Sequence, residues 1–190
     1  MQKKSSKILI RFFDISLSVL GLVALTPLAC IIYVTLLTEL KKPFFTQKRM
    51  GKFKEPFTII KFRTMHSETP SLPTHKINKK HTTKFGAFLR KYKLDEIPQL
   101  INVLLGDMSL VGPRPNLLNQ SDLIKEREKR KIYNLLPGIT GLSQINNIDM
   151  STPKLLAITD EKMLKGMNLR NYFYYIFITL TGKGRGDALK

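Results

Sequence analysis

Two adjacent carboxylates and one arginine lie within the stretch KLDEIPQLINVLLGDMSLVGPRP. Asp95 and Glu96 stand side by side ahead of an apolar run, and Arg114 lies between Pro113 and Pro115. Adjacent carboxylates in a basic chain suit Mg²⁺, which binds a few carboxylate oxygens together with substrate phosphates. A guanidinium on a backbone restrained by two prolines suits a phosphate or a carboxylate, because its donors form a planar fork. The stretch therefore indicates phosphate chemistry.

The same residues have a structural alternative. Asp95 is a good N-cap for a helix in which Pro98 falls in the first turn. Apolar residues then follow at helical spacing: Ile97, Leu100, Ile101 and Leu104. A helix N-terminus also carries free amides and partial positive charge, so the same geometry can hold a carboxylate ionised and bind phosphate. Arg114 has a comparable alternative as a solvated residue of a surface turn.

Further polar and basic residues are candidates for the same site. The segment PFFTQKRMGKFKEPFTIIKFRTM predicts two short strands around a turn. Its cations form either a solvated strand face or a wall that faces phosphate; they include Arg49, Lys61 and Arg63. A short helix or turn, FGAFLRKYK, is expected to bring Arg90 close to the carboxylate pair. The glycine-punctuated segment LPGITGLSQINNI is expected to line a site through Thr140 and Gln144.

The composition limits the class of partner. The chain has 190 residues, 43% of them hydrophobic, and a formal net charge of +18. This length suits one domain, or a domain plus an anchor, and the apolar content excludes a disordered chain. The positive charge indicates nucleic acid, an anionic membrane surface or a phosphorylated substrate as partner. The single cysteine, Cys30, excludes an internal disulfide, and the three histidines lack the spacing of a zinc site.

An uncharged apolar segment between Asp14 and Glu39 is long enough to cross a hydrocarbon core as a helix. It ends in TELKKPFF rather than in a small-residue cleavage site, which argues against a cleaved signal peptide. Proline removes a backbone donor, so Thr26-Pro27 in the middle predicts a bend or break. Basic residues flank both ends, which favours the cytoplasmic side for both. A helix-break-helix hairpin in one leaflet and a kinked transmembrane helix are both compatible with these features.

The rest of the chain predicts further helices and one long loop. SDLIKEREKRKIYNLL predicts a charged helix with a solvated face, and HSETPSLPTHKINKKHTTK predicts an exposed loop or a lid. NLRNYFYYIFITL has one continuous apolar face, which is typical of core or of a helix in a membrane interface. The predicted fold is α+β and mainly helical. It comprises a membrane anchor over residues 1–40 and a cytoplasmic domain over 41–190, with a short β-hairpin and amphipathic interfacial helices.

Three motifs occur in one order behind the apolar segment: FTQKRMGKFKEPFTIIKFRTM, FGAFLRKYKLDEIPQLINVLLGDMSLVGPRP and LPGITGLSQI. Together they resemble the bacterial sugar transferases, small monotopic phosphoglycosyl transferases that start polysaccharide, O-antigen or glycoprotein glycan assembly. The resemblance extends from residue 8 to residue 145. It implies transfer of a sugar phosphate from a UDP-sugar to a polyprenyl (undecaprenyl) phosphate, with release of UMP.

The resemblance also implies roles for individual residues. Asp95 would be the nucleophile that attacks the β-phosphate and forms a phosphosugar-enzyme intermediate, with Glu96 as its partner in metal and proton handling. Mg²⁺ would be the cofactor, and Arg90 and Arg114 would bind phosphate. The family's broken N-terminal helix is a re-entrant anchor. This favours the hairpin and places the enzyme at the bacterial inner membrane, with its catalytic domain on the cytoplasmic face.

The partners implied are the UDP-sugar, the polyprenyl phosphate and membrane lipid, without nucleic acid; a homodimer is also compatible with the family. The chain departs from the family pattern at HTTKFG, where His81 stands in place of a frequent arginine-threonine pair. The segment NNIDMSTPKLLAITDEKML lacks asparagine-glycine-arginine and tryptophan features of many members, and this segment is expected to govern which sugar is accepted.

Two other functions are alternatives to the transferase. A nucleic-acid-binding membrane protein would explain the charge, but it would leave the Asp-Glu pair without a role, and no recognised nucleic-acid-binding motif occurs. A non-catalytic membrane scaffold with the same fold would need neither the LDE nor the GPRP motif.

Overall fold

The computed structural model describes residues 4–66 and 81–182. Within these ranges the chain is mainly helical and contains two small two-stranded sheets, which confirms the predicted mainly helical α+β class. Most of the predicted loop or lid, HSETPSLPTHKINKKHTTK, falls outside the described residues.

Helix α1 (Lys4–Leu40) is one continuous helix of 37 residues with Pro27 inside it. The structure therefore corrects one of the two outcomes predicted for Thr26-Pro27: no loop separates two helices there, so the helix does not break, while a bend at Pro27 stays a prediction. The local cost of proline is the loss of one backbone hydrogen bond and a clash with the preceding turn. Side chains on both sides of Pro27 pack on the rest of the chain, and these contacts hold the two halves in one helix. The re-entrant path of this helix in a membrane stays a prediction.

Helix α1 also has the length and composition of a membrane-crossing helix, from Ser6 to Leu40. Many of its large apolar side chains are exposed, among them Val23 with 71% of its surface accessible. An exposed apolar surface of this kind is typical of a contact with lipid or with another protein.

A buried carboxylate fixes the N-terminal half of α1 to the rest of the chain. Asp14 Oδ1 accepts hydrogen bonds from the Ser109 hydroxyl at 3.0 Å, the Leu110 backbone N–H at 2.9 Å and the Tyr172 hydroxyl at 2.9 Å. Because a buried carboxylate requires such partners, its position specifies how α1 sits on the two elements that supply them.

The C-terminal half of α1 packs through an apolar cluster. Ile32 and Leu36 are buried against residues from three other segments: Phe62, Leu89 and Ile97. The predicted anchor and the predicted catalytic domain therefore share a core.

Two strands after α1 form the predicted hairpin. Strands β1 (Phe44–Met50) and β2 (Pro56–Phe62) are antiparallel, and a single turn of 3₁₀ helix at Lys52–Lys54 lies between them. The remaining elements are α2 (Lys84–Lys91), α3 (Gln99–Leu105), β3 (Ser109–Val111), α4 (Ser121–Lys129), β4 (Gly138–Thr140), α5 (Leu142–Ile145), α6 (Pro153–Gly166) and α7 (Leu169–Leu180).

Strands β3 and β4 pair in parallel, an association that the sequence did not predict. A Cβ atom on Gly138 would lie 1.9 Å from the Gly112 backbone nitrogen, and one on Gly112 would lie 2.4 Å from the Leu136 carbonyl oxygen. Glycine is required at both positions because the two backbones are in direct contact. The pairing brings the GPRP turn against the PGIT segment.

Helix α7 only partly buries the apolar face that its sequence predicts. Of this face, Tyr172 is buried, whereas Phe177 and Leu180 near the C-terminal end are exposed; Tyr175, which is also buried, lies outside the predicted face. The end of α7 thus adds apolar and aromatic surface, as expected of a helix in a membrane interface.

Candidate active site

The two carboxylates lie in a tight turn rather than at the start of a helix. Leu94–Glu96 form one turn of 3₁₀ helix, preceded by Lys93 in the left-handed conformation with φ of 58°. The N-cap of α3 is Pro98, so the alternative in which Asp95 caps this helix is wrong. A non-glycine residue with positive φ is uncommon, and it often marks a functional turn.

Glu96 is held by two cations. Lys61 Nζ lies 2.6 Å from Glu96 Oε1, and Arg114 Nη2 lies 3.6 Å from the same oxygen; the Glu96 side chain is only 11% exposed. Burial alone would raise the pKa of Glu96, but Lys61 and Arg114 outweigh burial and lower this pKa to about 2. Glu96 is therefore a carboxylate at neutral pH.

The pKa of Asp95 is shifted in the opposite direction, upward. It is buried, with 8% of its surface exposed. Burial raises the pKa of Asp95 above its ordinary value; Lys61 opposes this rise, and the neighbouring Glu96 charge adds to it. Arg90, on α2, and Arg114 also lower this pKa through their charges. The two adjacent carboxylates thus differ in proton affinity, as paired carboxylates with different chemical roles do.

Asn102 fixes the strand that carries Lys61. Its Oδ1 accepts a hydrogen bond from the Ile60 backbone N–H at 3.1 Å, and its Nδ2 donates to the Thr58 carbonyl oxygen at 2.8 Å. Helix α3 is therefore attached to β2 next to Lys61. Sequence analysis missed Asn102; a polar residue within the apolar run LINVLL was the available signal.

A buried arginine on α4 fixes the turn that carries Arg114. Arg127 Nη1 donates to the Arg114 carbonyl oxygen at 2.8 Å and to Asn116 Oδ1 at 3.0 Å. Arg127 Nε and Nη2 donate to Asp160 Oδ2 at 3.0 and 2.7 Å. The Ser143 hydroxyl donates to the other Asp160 oxygen at 2.6 Å.

The prediction that the charges of SDLIKEREKRKIYNLL form a solvated face is wrong for Arg127. This side chain is 2% exposed, and that of Asp160 is fully buried. Burial is possible because the charge has a carboxylate partner on α6 and its remaining donors are satisfied. Nothing in the local pattern of α4 indicated a partner 33 residues away.

A cleft that is partly open to solvent lies beside Glu96. Of the predicted site residues, the structure brings five to its wall: Arg49, Lys61, Glu96, Arg114 and Pro115. Gln99, Ile59, Gly138 and Ile139 complete the lining. Arg49 Nη1 also donates to the Pro115 carbonyl oxygen at 3.2 Å, which joins β1 to the GPRP turn. Three cations and one ionised carboxylate therefore face one space, an arrangement suited to a polyanion.

Arg63 does not line this cleft. Its Nε donates to the Lys42 carbonyl oxygen at 3.0 Å and its Nη2 to the Phe44 carbonyl oxygen at 3.1 Å. These bonds support the connection between α1 and β1, so the structure gives Arg63 a structural position.

Three other predicted residues lie behind the cleft. The Thr140 hydroxyl is 2.5 Å from the Thr179 hydroxyl, and Gln144 Nε2 donates to the Gly112 carbonyl oxygen at 3.3 Å. The Pro113 carbonyl oxygen accepts a backbone hydrogen bond in the β3–β4 junction. These residues build the support of the GPRP turn rather than the surface of the cleft.

Asp95 and Glu96 are the residues of the site that could hold magnesium. Among residues 4–66 and 81–182, no group of three or more histidine, cysteine, aspartate or glutamate side chains forms a metal cluster. Mg²⁺ is commonly bound by one or two carboxylates together with substrate phosphates, so the Asp95-Glu96 pair suits this ion.

The family model for bacterial sugar transferases matches residues 5–183 of the chain. An uncharacterized sugar transferase, EpsL of Bacillus subtilis strain 168, is 40% identical over 140 residues, which are 73% of this chain and 69% of that protein. A UDP-glucose:undecaprenyl-phosphate glucose-1-phosphate transferase of Caulobacter vibrioides is 36% identical over 143 residues, 73% of this chain and 54% of that protein.

A protein of the same name from Escherichia coli K12 is 38% identical over 148 residues, which are 74% of this chain and 32% of that protein. The chain thus spans about half or less of the two relatives whose names state an activity. The family match covers every element from α1 to α7, and with them the whole cleft. This chain belongs to the bacterial sugar transferase family.

Proposed function

We propose that this chain transfers a sugar 1-phosphate from a UDP-sugar to a polyprenyl phosphate, such as undecaprenyl phosphate, and releases UMP. The observation that carries this proposal is a cleft lined by Glu96 and by three cations, Arg49, Lys61 and Arg114, with the buried Asp95 next to Glu96 in the chain. Both substrates are multiply anionic, which agrees with this cationic wall. The names of two relatives, which mention UDP-glucose and undecaprenyl phosphate, support the same reaction.

The reaction would proceed in two displacement steps. In the first, an Asp95 carboxylate oxygen forms a bond to the β-phosphorus of the UDP-sugar. The bond from that phosphorus to the bridging oxygen breaks, and UMP leaves with the oxygen. In the second, an oxygen of the polyprenyl phosphate attacks the same phosphorus and the bond to Asp95 breaks. The carboxylate is restored, and the product is a polyprenyl diphosphate sugar. Such a sequence produces ping-pong kinetics.

The cations would stabilise the charge that develops on the phosphoryl oxygens. Phosphoryl transfer depends mainly on positioning and charge neutralisation, which preorganised donors supply. Lys61 is held by Glu96 at 2.6 Å, and the Arg114 backbone is held by Arg127 at 2.8 Å. The Lys61 ammonium and the Arg114 backbone are therefore in position before the substrate binds. This lowers the free energy needed to reorganise the site during the reaction.

Asp95 and Glu96 would hold Mg²⁺ together with the substrate phosphates, and the ion would reduce the repulsion between Asp95 and the diphosphate. Glu96 remains ionised through its contacts with Lys61 and Arg114 and so stays available as a ligand.

A membrane location would bring the lipid acceptor to the cleft. Exposed apolar side chains occur on α1, on α3 and on α7, for example Val23, Leu105 and Leu180. We propose that these surfaces contact the inner membrane, with α1 as a re-entrant anchor and the cleft on the cytoplasmic face, at the first membrane step of glycan assembly.

Cysteines introduced at Lys7 and Lys41 would then react equally with an impermeant reagent in oriented vesicles, and unequal reaction would contradict the re-entrant path.

The activity is tested by UMP release. Purified protein in nanodiscs is incubated with undecaprenyl phosphate, Mg²⁺ and each member of a panel of UDP-sugars. We expect UMP to appear with one or a few donors, only when the acceptor is present in turnover amounts, and to stop on chelation of the metal. Absence of UMP with every donor, from protein shown to be folded, would contradict the proposal.

A further inference from the structure

Gln99 is buried in the wall of the cleft. Its side chain has no role in the contacts or in the reaction described above. The residue is 2% exposed, and it lines the cleft together with Arg49, Lys61 and Arg114. Its amide nitrogen Nε2 is buried and has no hydrogen-bond partner among residues 4–66 and 81–182. Most buried polar groups in proteins are hydrogen-bonded, so an exception at a cleft requires an explanation.

The cost of leaving this donor unpaired is substantial. A buried amide N–H without a partner is less favourable than a paired one. Its neighbour Asn102, on the same helix, is fully used in the contact between α3 and β2. Helix α3 is therefore fixed independently of Gln99, and the Gln99 amide is not needed to hold it.

The surroundings of Gln99 indicate the chemistry of its partner. The cations at the cleft wall attract an anion, and an amide N–H donates to an oxygen acceptor. A neutral donor among cations is suited to a phosphoryl oxygen, because it adds a directed hydrogen bond without a further charge. Gln99 also follows the carboxylate pair by three and four residues and lines the same cleft as Glu96.

We propose that Gln99 Nε2 donates a hydrogen bond to a non-bridging oxygen of the substrate diphosphate, and thereby orients the phosphoryl group for attack by Asp95. This proposal rests on the proposed function for its catalytic consequence, but the diphosphate contact itself does not require turnover. A buried side chain on a fixed helix is well suited to this orienting role, because its position varies little.

The test compares three variants with the wild type. Gln99→Leu keeps the approximate size and removes the donor; Gln99→Glu keeps the shape and replaces the donor by an acceptor with negative charge. Gln120→Leu is the matched control, because Gln120 uses its amide oxygen in a bond of 2.8 Å to the Leu117 backbone N–H and does not line the cleft. Each protein is assayed for inorganic pyrophosphate affinity by calorimetry, for kcat/KM and for melting temperature.

We expect Gln99→Leu to lose about tenfold to a hundredfold in pyrophosphate affinity and in kcat/KM, the effect of one hydrogen bond to a charged group. Gln99→Glu should lose more, since its charge repels the ligand. Gln99→Leu should melt at or above the wild-type temperature, while Gln120→Leu should melt lower with unchanged pyrophosphate affinity. Wild-type affinity in folded Gln99→Leu, or an equal loss in Gln120→Leu, would overturn the inference.

A failure of the transferase proposal and a failure of the Gln99 assignment give different results. If wild-type protein binds pyrophosphate but releases no UMP from any UDP-sugar, the transferase proposal fails while the Gln99 contact is still measured by calorimetry. If the wild type is active and Gln99→Leu matches it in both assays, only the Gln99 assignment fails. Should Gln99→Leu not fold, Gln99→Met, another uncharged variant without the donor, decides by the same affinity measurement.

Discussion

Arg127 donates a hydrogen bond of 2.8 Å from its Nη1 to the backbone carbonyl oxygen of Arg114, although the Arg127 side chain is buried away from the cleft. The rest of its guanidinium is bound by Asp160 on α6. The position of a cleft arginine thus depends on an ion pair between two helices that contribute no side chain to the cleft lining. A substitution in this pair affects the cleft through the GPRP backbone.

Replacing Arg127 by methionine should reduce both stability and activity. Asp160 would then be a buried charge without its cation, which costs about 3–5 kcal/mol in the free energy of unfolding. The carbonyl of Arg114 would also lose its donor, so the Arg114 side chain would be placed less accurately. Chemical denaturation of the detergent-solubilised protein measures the loss of stability, and kcat of the folded fraction measures the loss of activity.

The double variant Arg127→Met with Asp160→Leu separates these effects. Replacing both charges by apolar groups of similar size is often neutral or stabilising, so stability should return. Activity should not return, because the Arg114 carbonyl still lacks its partner. A double variant that regains both would show that Arg127 stabilises the fold without positioning Arg114.

Arg114→Lys tests the contact between the cleft and phosphate. Lysine keeps the charge but lacks the planar fork of donors, so we expect a fall in kcat/KM of at least tenfold with unchanged melting temperature. Arg130→Lys is the matched control, since Arg130 forms ion pairs with Glu126 and Glu161 away from the cleft and should retain full activity. Normal kinetics of Arg114→Lys would reduce Arg114 to a structural residue of the turn.

Gly138→Ala should unfold the β3–β4 junction or abolish expression of folded protein, because the new Cβ would lie 1.9 Å from the Gly112 backbone nitrogen. No side-chain rearrangement can relieve a clash between two backbones. Gly21→Ala is the control: its Cβ would lie 3.2 Å from the end of the Leu100 side chain, which can move. Thermal melting of both variants checks the prediction, and a stable Gly138→Ala protein would disprove the close backbone pairing.

The features that the sequence predicted correctly are those encoded by local patterns. Two apolar runs around a turn within residues 44–62 predicted the β1–β2 hairpin. The LDE and GPRP motifs marked Glu96 and Arg114 as candidates for one site, and the structure places Arg114 Nη2 3.6 Å from Glu96 Oε1. The pairing of Arg127 with Asp160 and of β3 with β4 was not predictable, since each joins segments distant in the chain without a local signal. The sequence left open whether Pro27 breaks α1 or only kinks it. The structure has one helix there, and side chains on both sides of Pro27 pack on the rest of the chain.

The central claim is that Asp95 becomes covalently attached to the sugar phosphate, and trapping this intermediate tests it most directly. Wild-type protein is incubated with Mg²⁺ and a UDP-sugar labelled on the sugar, without acceptor, and the label on the intact protein is measured by mass. We expect one sugar phosphate per active chain, removed when undecaprenyl phosphate is added. Asp95→Asn should bind the donor and melt normally, because asparagine has the same shape, yet show neither label nor turnover. Sustained UMP release by Asp95→Asn, dependent on the acceptor, would contradict the account.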